Sequence, residues 1–389
     1  MPEKIRRSIC AAAMATGLLA LSACGSSGHS PRTPAASVSR AAGTTSPTAN
    51  TSVSAHGSTN ASGSETTHTT ARATPAEAPG TFTISFAGDV HFAERTAARL
   101  AADPATAFGR SAAVLSKADL SMVNLETAIA VGGSPQGKTF TFEAPPVAFT
   151  ALKDAGIDVA TMANNHGADY GSNGLAQTLA AIRASGFPVV GIGADAAAAY
   201  APYYTTVNGV RLAIVAASQV QDETLANFPA TSDSPGIASA FSDRLLASVR
   251  AAKAKADVVI AYIHWGTEYQ SCPNSDQHDL ADRLAAAGVT AVIGTHAHVL
   301  QGAGWRPDGT YVAYGLGNYF WWRSFGNAQD DNGVLTLTIA QGKVRDAGFS
   351  PSRLDDTGVS PPATGAVAQA IRSELTQATR CTDLSSTRP

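Results

Sequence analysis

The 389-residue chain is poor in cysteine and carries no large excess of charge of either sign. Its formal net charge is −3 and it has no run of basic residues, so its electrostatics do not indicate a nucleic-acid partner. Aromatic residues are absent from residues 25–80, where Ser, Thr, Ala, Gly and Pro dominate. This composition cannot bury enough apolar surface to offset the entropy of ordering, so we expect a disordered tether. A plain spacer and an O-glycosylated stalk both fit this composition.

The first 24 residues have the pattern of a lipoprotein signal peptide. A basic start is followed by an apolar stretch, Ile9–Leu21, that is shorter than the about 20 residues needed to span a bilayer. The stretch ends in Leu-Ser-Ala-Cys, which resembles a bacterial lipobox and predicts that Cys24 is the lipidated first residue of the mature protein. Plain secretion with cleavage nearby is the alternative. We therefore expect an extracytoplasmic protein that is held on the outer face of the cell membrane by a lipid anchor only.

Residues 81–350 predict one large α/β domain with mixed sheets, because short apolar strands alternate with helical segments. Residues 351–389 are predicted to form a C-terminal extension that packs on this domain. The chain has four cysteines without Cys-x-x-Cys spacing, which disfavours a cysteine-ligated metal. In an exported protein Cys272 and Cys381 favour a disulfide, which would tie the C-terminal tail to the loop after His264.

Beyond residue 80, five of the six histidines lie in short polar motifs that follow apolar runs. Residues just past the carboxyl ends of strands in an α/β sheet converge on one crevice, so we expect these side chains to meet. Neutral imidazoles, carboxylates and amide oxygens are ligands of divalent metals. The sequence therefore predicts a metal site with two ions. The motifs are Asp89-Val90-His91, Asn165-His166, His264-Trp265-Gly266 and His296-Ala297-His298.

Two carboxylates are candidate ligands in the first half of the domain. Asp89 and His91 are two residues apart, so on an extended segment both side chains share a face and can hold one ion. Asp89 alone is equally consistent with a helix N-cap. Glu126 follows an apolar strand and must be solvated, paired or metal-bound, although a position at a helix start explains it as well. Asn124, two residues before Glu126, is a candidate substrate contact.

The Asn164-Asn165-His166 segment carries the next candidates. One asparagine could merely shape the turn, because Asn tolerates left-handed backbone geometry. The other could supply an amide oxygen to a metal, and we assign this role to Asn165. His166 is then placed beside the metal as a general acid.

The second half of the domain supplies the remaining candidates. His264 is predicted to be a metal ligand, and Glu268 either orients a ligand or contacts substrate. His296 and His298 are predicted to share one face across an extended turn, and two such imidazoles are a strong metal-ligand pattern. Asn318, in a glycine-rich turn, is predicted to line the cleft and contact substrate.

Taken in order, six motifs between residues 82 and 325 resemble the CapA family, which is tied to the synthesis of poly-γ-glutamate capsules. The CapA family in turn resembles a branch of the calcineurin-like metallophosphoesterases. The resemblance implies a two-sheet αββα sandwich and a dinuclear site for Mn, Fe or Zn. The motifs are Gly88-Asp89-Val90, Asn124-Leu125-Glu126, Ala163-Asn164-Asn165-His166, His264-Trp265-Gly266-Thr267-Glu268-Tyr269, Gly294-Thr295-His296-Ala297-His298-Val299-Leu300-Gln301 and Leu316-Gly317-Asn318.

The resemblance also implies roles for individual residues and for the whole chain. Glu126 stands where the superfamily has a bridging Asp, and His166 matches the acid. The implied function is metal-dependent hydrolysis of a phosphoester-like bond in capsule or cell-envelope polymer synthesis or export. The alternative is a non-catalytic, lipid-anchored accessory protein that binds the polymer through the metal site. Poly-γ-glutamate and membrane-embedded polymer synthase subunits are the expected partners. The implied ligands are Asp89, His91, Glu126, Asn165, His264, His296 and His298.

Overall fold

The computed structural model describes residues 80–389. The predicted signal peptide, Cys24 and the tether up to residue 79 lie outside this range. Within it, no helix is both long and apolar enough to cross a membrane.

Helices and strands alternate along the described residues. The strands in chain order are β1 (Thr81–Val90), β2 (Leu120–Leu125), β3 (Ala128–Ile129), β4 (Glu143–Ala144), β5 (Val159–Thr161), β6 (Val189–Val190), β7 (Ile192–Gly193), β8 (Tyr203–Val207), β9 (Val210–Ser218), β10 (Gly236–Ile237), β11 (Val258–His264), β12 (Ala291–Thr295), β13 (Ala303–Trp305), β14 (Tyr311–Ala313), β15 (Asn318–Phe320), β16 (Asp331–Ala340) and β17 (Lys343–Arg353). The α-helices are α1 (Glu94–Ala102), α2 (Ala112–Leu115), α3 (Ala148–Asp154), α4 (Gly171–Ser185), α5 (Ala196–Ala199), α6 (Glu223–Asn227), α7 (Asp243–Lys253), α8 (Ser275–Ala287) and α9 (Gly365–Thr379).

Two mixed sheets form the centre of the fold. The first has the strand order β17-β16-β1-β2-β5-β6, with β15 also paired to β1, and the second has the order β13-β14-β12-β11-β9-β8. In the first sheet β1, β2, β5 and β6 run parallel, β16 runs antiparallel to β1, and β17 runs antiparallel to β16. In the second sheet β9, β11, β12 and β14 are parallel, so the carboxyl ends of several strands lie along one edge of each sheet.

Successive side chains of β11 point to opposite faces of the second sheet and so contact both the first sheet and the helices. Ile260 and Tyr262 belong to the core cluster that includes the first sheet, whereas Val259 and Ile263 pack with the apolar faces of α7 and α8. The Tyr262 hydroxyl donates a hydrogen bond to the carbonyl of Ala87 in β1 at 2.6 Å. Side chains of α3 and α4 join the core of the first sheet. The predicted two-sheet αββα sandwich is therefore confirmed.

The C-terminal part of the domain differs in detail from the prediction. The sequence analysis contained no strand over Lys343–Arg353, because Gly348 and Pro351 lower its strand propensity. The structure forms β17 there, paired along its length with β16, and the strand runs past the predicted domain boundary at residue 350. The following segment carries α9, and Cys272 and Cys381 form a disulfide with their Cα atoms 5.5 Å apart.

Candidate metal centre

Strand ends from both sheets bring the candidate ligands together. Asp89 lies near the end of β1 and Glu126 directly follows β2, while His264 ends β11 and His296 follows β12. All four side chains are buried, with exposed fractions of 5% or less. Gly88 permits this approach, because a Cβ there would lie 1.9 Å from the carbonyl oxygen of Gly317.

The potential ligand atoms fall into three overlapping groups, and within each group they lie within 4.8 Å of one another. Glu126 is shared by two groups, and each of the two adjacent histidines, His296 and His298, also belongs to two. Glu126 therefore lies within reach of both groups, and its bridging role stays a prediction. The groups are Glu126, His264 and His296; Asp89, Glu126 and His298; and Glu268, His296 and His298.

Several of these buried atoms have no hydrogen-bond partner among the described residues: Asp89 Oδ2, Glu126 Oε1 and His296 Nδ1. Burial, followed by the nearby charge of Asp89, raises the pKa of Glu126 well above its usual range. Burial lowers the pKa of His296 well below its usual range, so this imidazole is neutral and can ligate a metal. Two adjoining buried carboxylates with unsatisfied oxygens need a nearby cation, and the oxygen and nitrogen donor set fits a divalent metal.

Asn124 orients the carboxylate of Asp89. Its amide nitrogen donates a hydrogen bond to Asp89 Oδ1 at 2.8 Å, and its amide oxygen accepts one from Asn164 at 2.9 Å. Asn124 is completely buried. The structure thus gives this residue the position of an orienting group, and its predicted contact with substrate stays a prediction.

His296 and His298 lie in an unusual backbone segment. Their φ angles are +91° and +56°, so the turn is left-handed at both residues and not extended as the sequence analysis expected. His298 Nδ1 donates to Asn318 Oδ1 at 2.9 Å and lies 3.3 Å from Asp89 Oδ2. Burial acts to lower the pKa of His298, but the close contact with the Asp89 carboxylate and its charge outweigh burial and raise the pKa. Asn318, predicted to line the cleft, is fully buried and orients His298.

Asn165 and His264 contact each other beside Glu126. The Asn165 amide oxygen lies 2.8 Å from His264 Nε2, and the same nitrogen is 3.5 Å from Glu126 Oε1. His264 Nδ1 lies 3.1 Å from the hydroxyl of Thr295, which fixes the ring. Burial lowers the pKa of His264 well below its usual range, which keeps this candidate ligand neutral.

His91 is held outside the three groups. Its ring stacks on Trp321 with the centroids 4.0 Å apart, and its Nε2 accepts a hydrogen bond from the backbone nitrogen of Trp322 at 3.1 Å. Its Nδ1 is buried without a hydrogen-bond partner among residues 80–389. Metal ligation by His91 stays a prediction and would use Nδ1 or displace the bond to Trp322.

His166 lies beside the cluster, and its role as an acid stays a prediction. Its Nδ1 lies 2.6 Å from Asp169 Oδ2, and its Nε2 lies 3.9 Å from Glu126 Oε1. Asp169 is completely buried and its second oxygen pairs with Lys138 Nζ at 2.9 Å, which also pairs with Asp222 at 2.8 Å. The sequence analysis assigned no role to Asp169, Lys138 or Asp222. The spacing of Asp169, three residues after His166, was the one available signal.

A narrow cleft of about 40 Å³ opens above the cluster. Glu268 and Tyr269 line it, and Tyr269, which the sequence analysis left out of the site, is 51% exposed. The remaining lining is mainly aromatic and includes a Trp-Trp-Arg segment that the sequence analysis also missed. These residues are Phe140, Phe142, Trp321, Trp322, Arg323 and Phe325, together with His166 and His298.

The family model described as bacterial capsule synthesis protein PGA_cap matches residues 83–321. The chain belongs to this family. The capsule biosynthesis protein CapA of Bacillus anthracis is 32% identical over 54% of this chain and 54% of its own length. The PGA biosynthesis protein CapA of Bacillus subtilis is 34% identical over 43% of each chain. A probable polyglutamine synthesis accessory protein of Mycobacterium tuberculosis is 31% identical over 54% of this chain and 59% of its own length.

These matches confirm the predicted membership of the CapA family, and they cover about half of the relatives' length. Among solved structures, a hypothetical protein of Thermus thermophilus is 19% identical with a TM-score of 0.45, covering 70% of this chain and 99% of its own. A phosphatase of Mycoplasma pneumoniae is 16% identical with a TM-score of 0.46, covering 71% of this chain and 95% of its own.

Proposed function

We propose that this protein is a metal-dependent, phosphoesterase-like hydrolase that acts outside the cytoplasm in the synthesis or export of a capsule or envelope polymer. The observation that carries the proposal is the set of buried, unsatisfied ligand atoms of Asp89, Glu126 and His296 beside His166. A purely structural cluster would leave these carboxylates uncompensated, at considerable cost in stability.

The residues of the site have different proposed roles in metal binding and catalysis. Bound divalent ions, two by the family resemblance and Mn, Fe or Zn by the donor set, would stabilise the negative charge that develops on a phosphoryl group. Asp89, Glu126, Asn165, His264, His296 and His298 would hold the ions, with His91 as a further ligand through Nδ1 or after displacement of its bond to Trp322. Asn124 and Asn318 keep Asp89 and His298 in place.

His166 would deliver the proton to the leaving group. Asp169 accepts a hydrogen bond from Nδ1 of His166, which fixes the tautomer of the ring. Nε2 of His166 is then the atom that holds or moves a proton in the cleft. Burial lowers the pKa of His166 although Asp169 acts in the opposite direction. The protonated imidazole is therefore a stronger acid than an ordinary histidine.

The cellular setting belongs to the same proposal. The CapA relatives support a role with poly-γ-glutamate or a related polymer, and with membrane-embedded synthase subunits as partners. The lipobox pattern at Cys24 supports export and anchoring on the outer face of the membrane, with residues 25–80 as the spacer.

The test uses the full-length chain, loaded with Mn²⁺ and offered phosphomonoesters and phosphodiesters. His166→Gln should lower kcat by about 10²–10⁴-fold while metal content is kept. His278→Gln is the matched control, because that histidine lies beside Tyr314 and away from the cleft. A metal-loaded wild type that hydrolyses no member of either ester class would refute the hydrolase.

A non-catalytic accessory protein is the second candidate, favoured by the similarity to the probable polyglutamine synthesis accessory protein of Mycobacterium tuberculosis. In that case the metal centre would hold the carboxylates of the polymer without hydrolysis. Calorimetric titration with poly-γ-glutamate should then show binding that chelation abolishes. Absence of binding both with and without metal would exclude this role.

A further inference from the structure

One arginine at the mouth of the cleft carries a positive charge that is not paired with a carboxylate among the described residues. Arg323 lines the cleft, and its Nε is buried without a hydrogen-bond partner among residues 80–389. The ion pairs that the described residues form with arginine involve Arg211, Arg283, Arg306 and Arg353 instead. A guanidinium always carries its charge, so Arg323 brings an uncompensated positive charge to the cleft.

Aromatic rings fix the position of this guanidinium. Its central carbon lies 4.3 Å from the ring centroid of Trp322 and 4.6 Å from that of Phe325. Cation–π contacts of this kind hold the planar group by its faces. The N–H donors of a guanidinium lie in its plane, and their fork geometry matches the oxygens of a carboxylate or a phosphate.

The segment that carries Arg323 is tied directly to the metal cluster. Trp321 packs on His91 at 4.0 Å and on His298 at 4.8 Å between ring centroids. The backbone nitrogen of Trp322 donates to His91. Arg323 is the next residue, so its charge is anchored at the edge of the centre and shares one small cleft with His166.

We propose that Arg323 forms an anion-binding subsite, which takes a carboxylate or phosphate group of the substrate next to the group held at the metal centre. This inference rests on the proposed hydrolase function and names the substrate class: a phosphoester that carries a second anionic group. Glu268 lines the same cleft, but it groups with His296 and His298 and forms no ion pair with Arg323 among the described residues. The subsite is thus free for an anion from outside the chain.

Kinetics on three matched esters test the subsite in the Mn²⁺-loaded full-length chain. The esters are phenyl phosphate, carboxyphenyl phosphate and phenylene bisphosphate. Arg323→Met should raise KM about tenfold more for the second and third esters than for phenyl phosphate, a differential loss of about 1.4 kcal/mol. Arg323→Lys should recover part of the loss, and Arg250→Met, a charge removed from the exposed side of α7, should change nothing. The ester that loses more shows whether the anion is a carboxylate or a phosphate.

A binding arm separates failure of this inference from failure of the hydrolase. Calorimetry on the full-length chain measures binding of a γ-glutamyl pentapeptide and of pyrophosphate, with wild type, Arg323→Met and Arg250→Met compared. Weaker binding in Arg323→Met alone supports the subsite even if no ester is hydrolysed. Equal binding by all three proteins, no binding by wild type, or an equal rise in KM for all three esters would overturn it.

Discussion

The two edges of the sheet sandwich differ in how their charges are satisfied. At the edge where the strands begin, a cavity of about 790 Å³ is lined by Thr81, Arg211, Lys253 and Asp257. There Arg211 and Asp257 pair at 2.7 Å, and their side chains are 60% and 40% exposed. At the edge where the strands end, the cleft is only about 40 Å³, but the groups beneath it are buried.

The pKa directions at the two edges are opposite, and this difference identifies the functional edge. Arg211 lowers the pKa of Asp257 to about 2 through hydrogen bonds, so this carboxylate is fully compensated. Burial and Asp89 raise the pKa of Glu126, and among residues 80–389 the charge of Lys138 lowers it without reversing the shift. The larger cavity is lined by paired charges and does not favour metal binding, whereas the small cleft lies above carboxylates with unsatisfied oxygens and does.

The largest expected effect is on metal content, when a carboxylate is removed from each edge in turn. Loss of a residue that only orients a metal ligand lowers metal affinity about 10–100-fold. Asp89→Ala removes a predicted ligand itself, so its loss of affinity should be at least as large. Elemental analysis of the full-length variant should then find only background metal. Asp257→Ala should retain the metal content of wild type. Equal metal content in both variants would mean that the buried cluster is not the metal centre.

The strand-end chemistry could be predicted from the sequence because it is local. Apolar runs followed by Asp89, Glu126, His264 and the histidine pair at 296 and 298 carry their own signal, and parallel strands bring such ends together whatever the rest of the chain does. The alternation of strands and helices predicted mixed sheets covered by helices, and the CapA resemblance added the two-sheet αββα arrangement. The strand order within the two sheets was not predicted.

The parts that the sequence did not predict depend on contacts between distant residues. Trp322 meets His91 across 231 positions in the chain, and Lys138 meets Asp222 across 84. No periodicity or motif encodes such pairs, since they arise only when loops from the two sheets fold over the same edge. The orienting positions of Asn124 and Asn318 were missed for a related reason, because an amide beside a cluster can face either the ligands or the substrate.

The second prediction concerns Lys138, which neutralises carboxylates at the functional edge. Its side chain is 8% exposed and pairs with Asp169 and Asp222, so Lys138→Met leaves a buried charge uncompensated. The free energy of unfolding should fall by about 3–5 kcal/mol in denaturant titration. Lys253→Met, at the opposite edge, should stay within about 0.5 kcal/mol of wild type. Equal stabilities of the two variants would show that the Lys138 pairs are no stronger than surface pairs.

The smallest expected effect lies in the Arg211–Asp257 pair itself. Because the pKa of Asp257 is lowered in the folded protein, the pair stabilises the fold above the ordinary value of 3.8, and this contribution is lost as the pH falls toward about 2. Asp257→Asn should therefore be slightly less stable than wild type in urea titrations between pH 5 and 8, with the difference shrinking in acid; the exposure of both side chains keeps it small. Asp233→Asn, at an exposed carboxylate outside any ion pair in the described chain, should show no such pH dependence. A difference that grew in acid would mean that Arg211 does not compensate Asp257, and the contrast between the two edges would then lose its electrostatic basis.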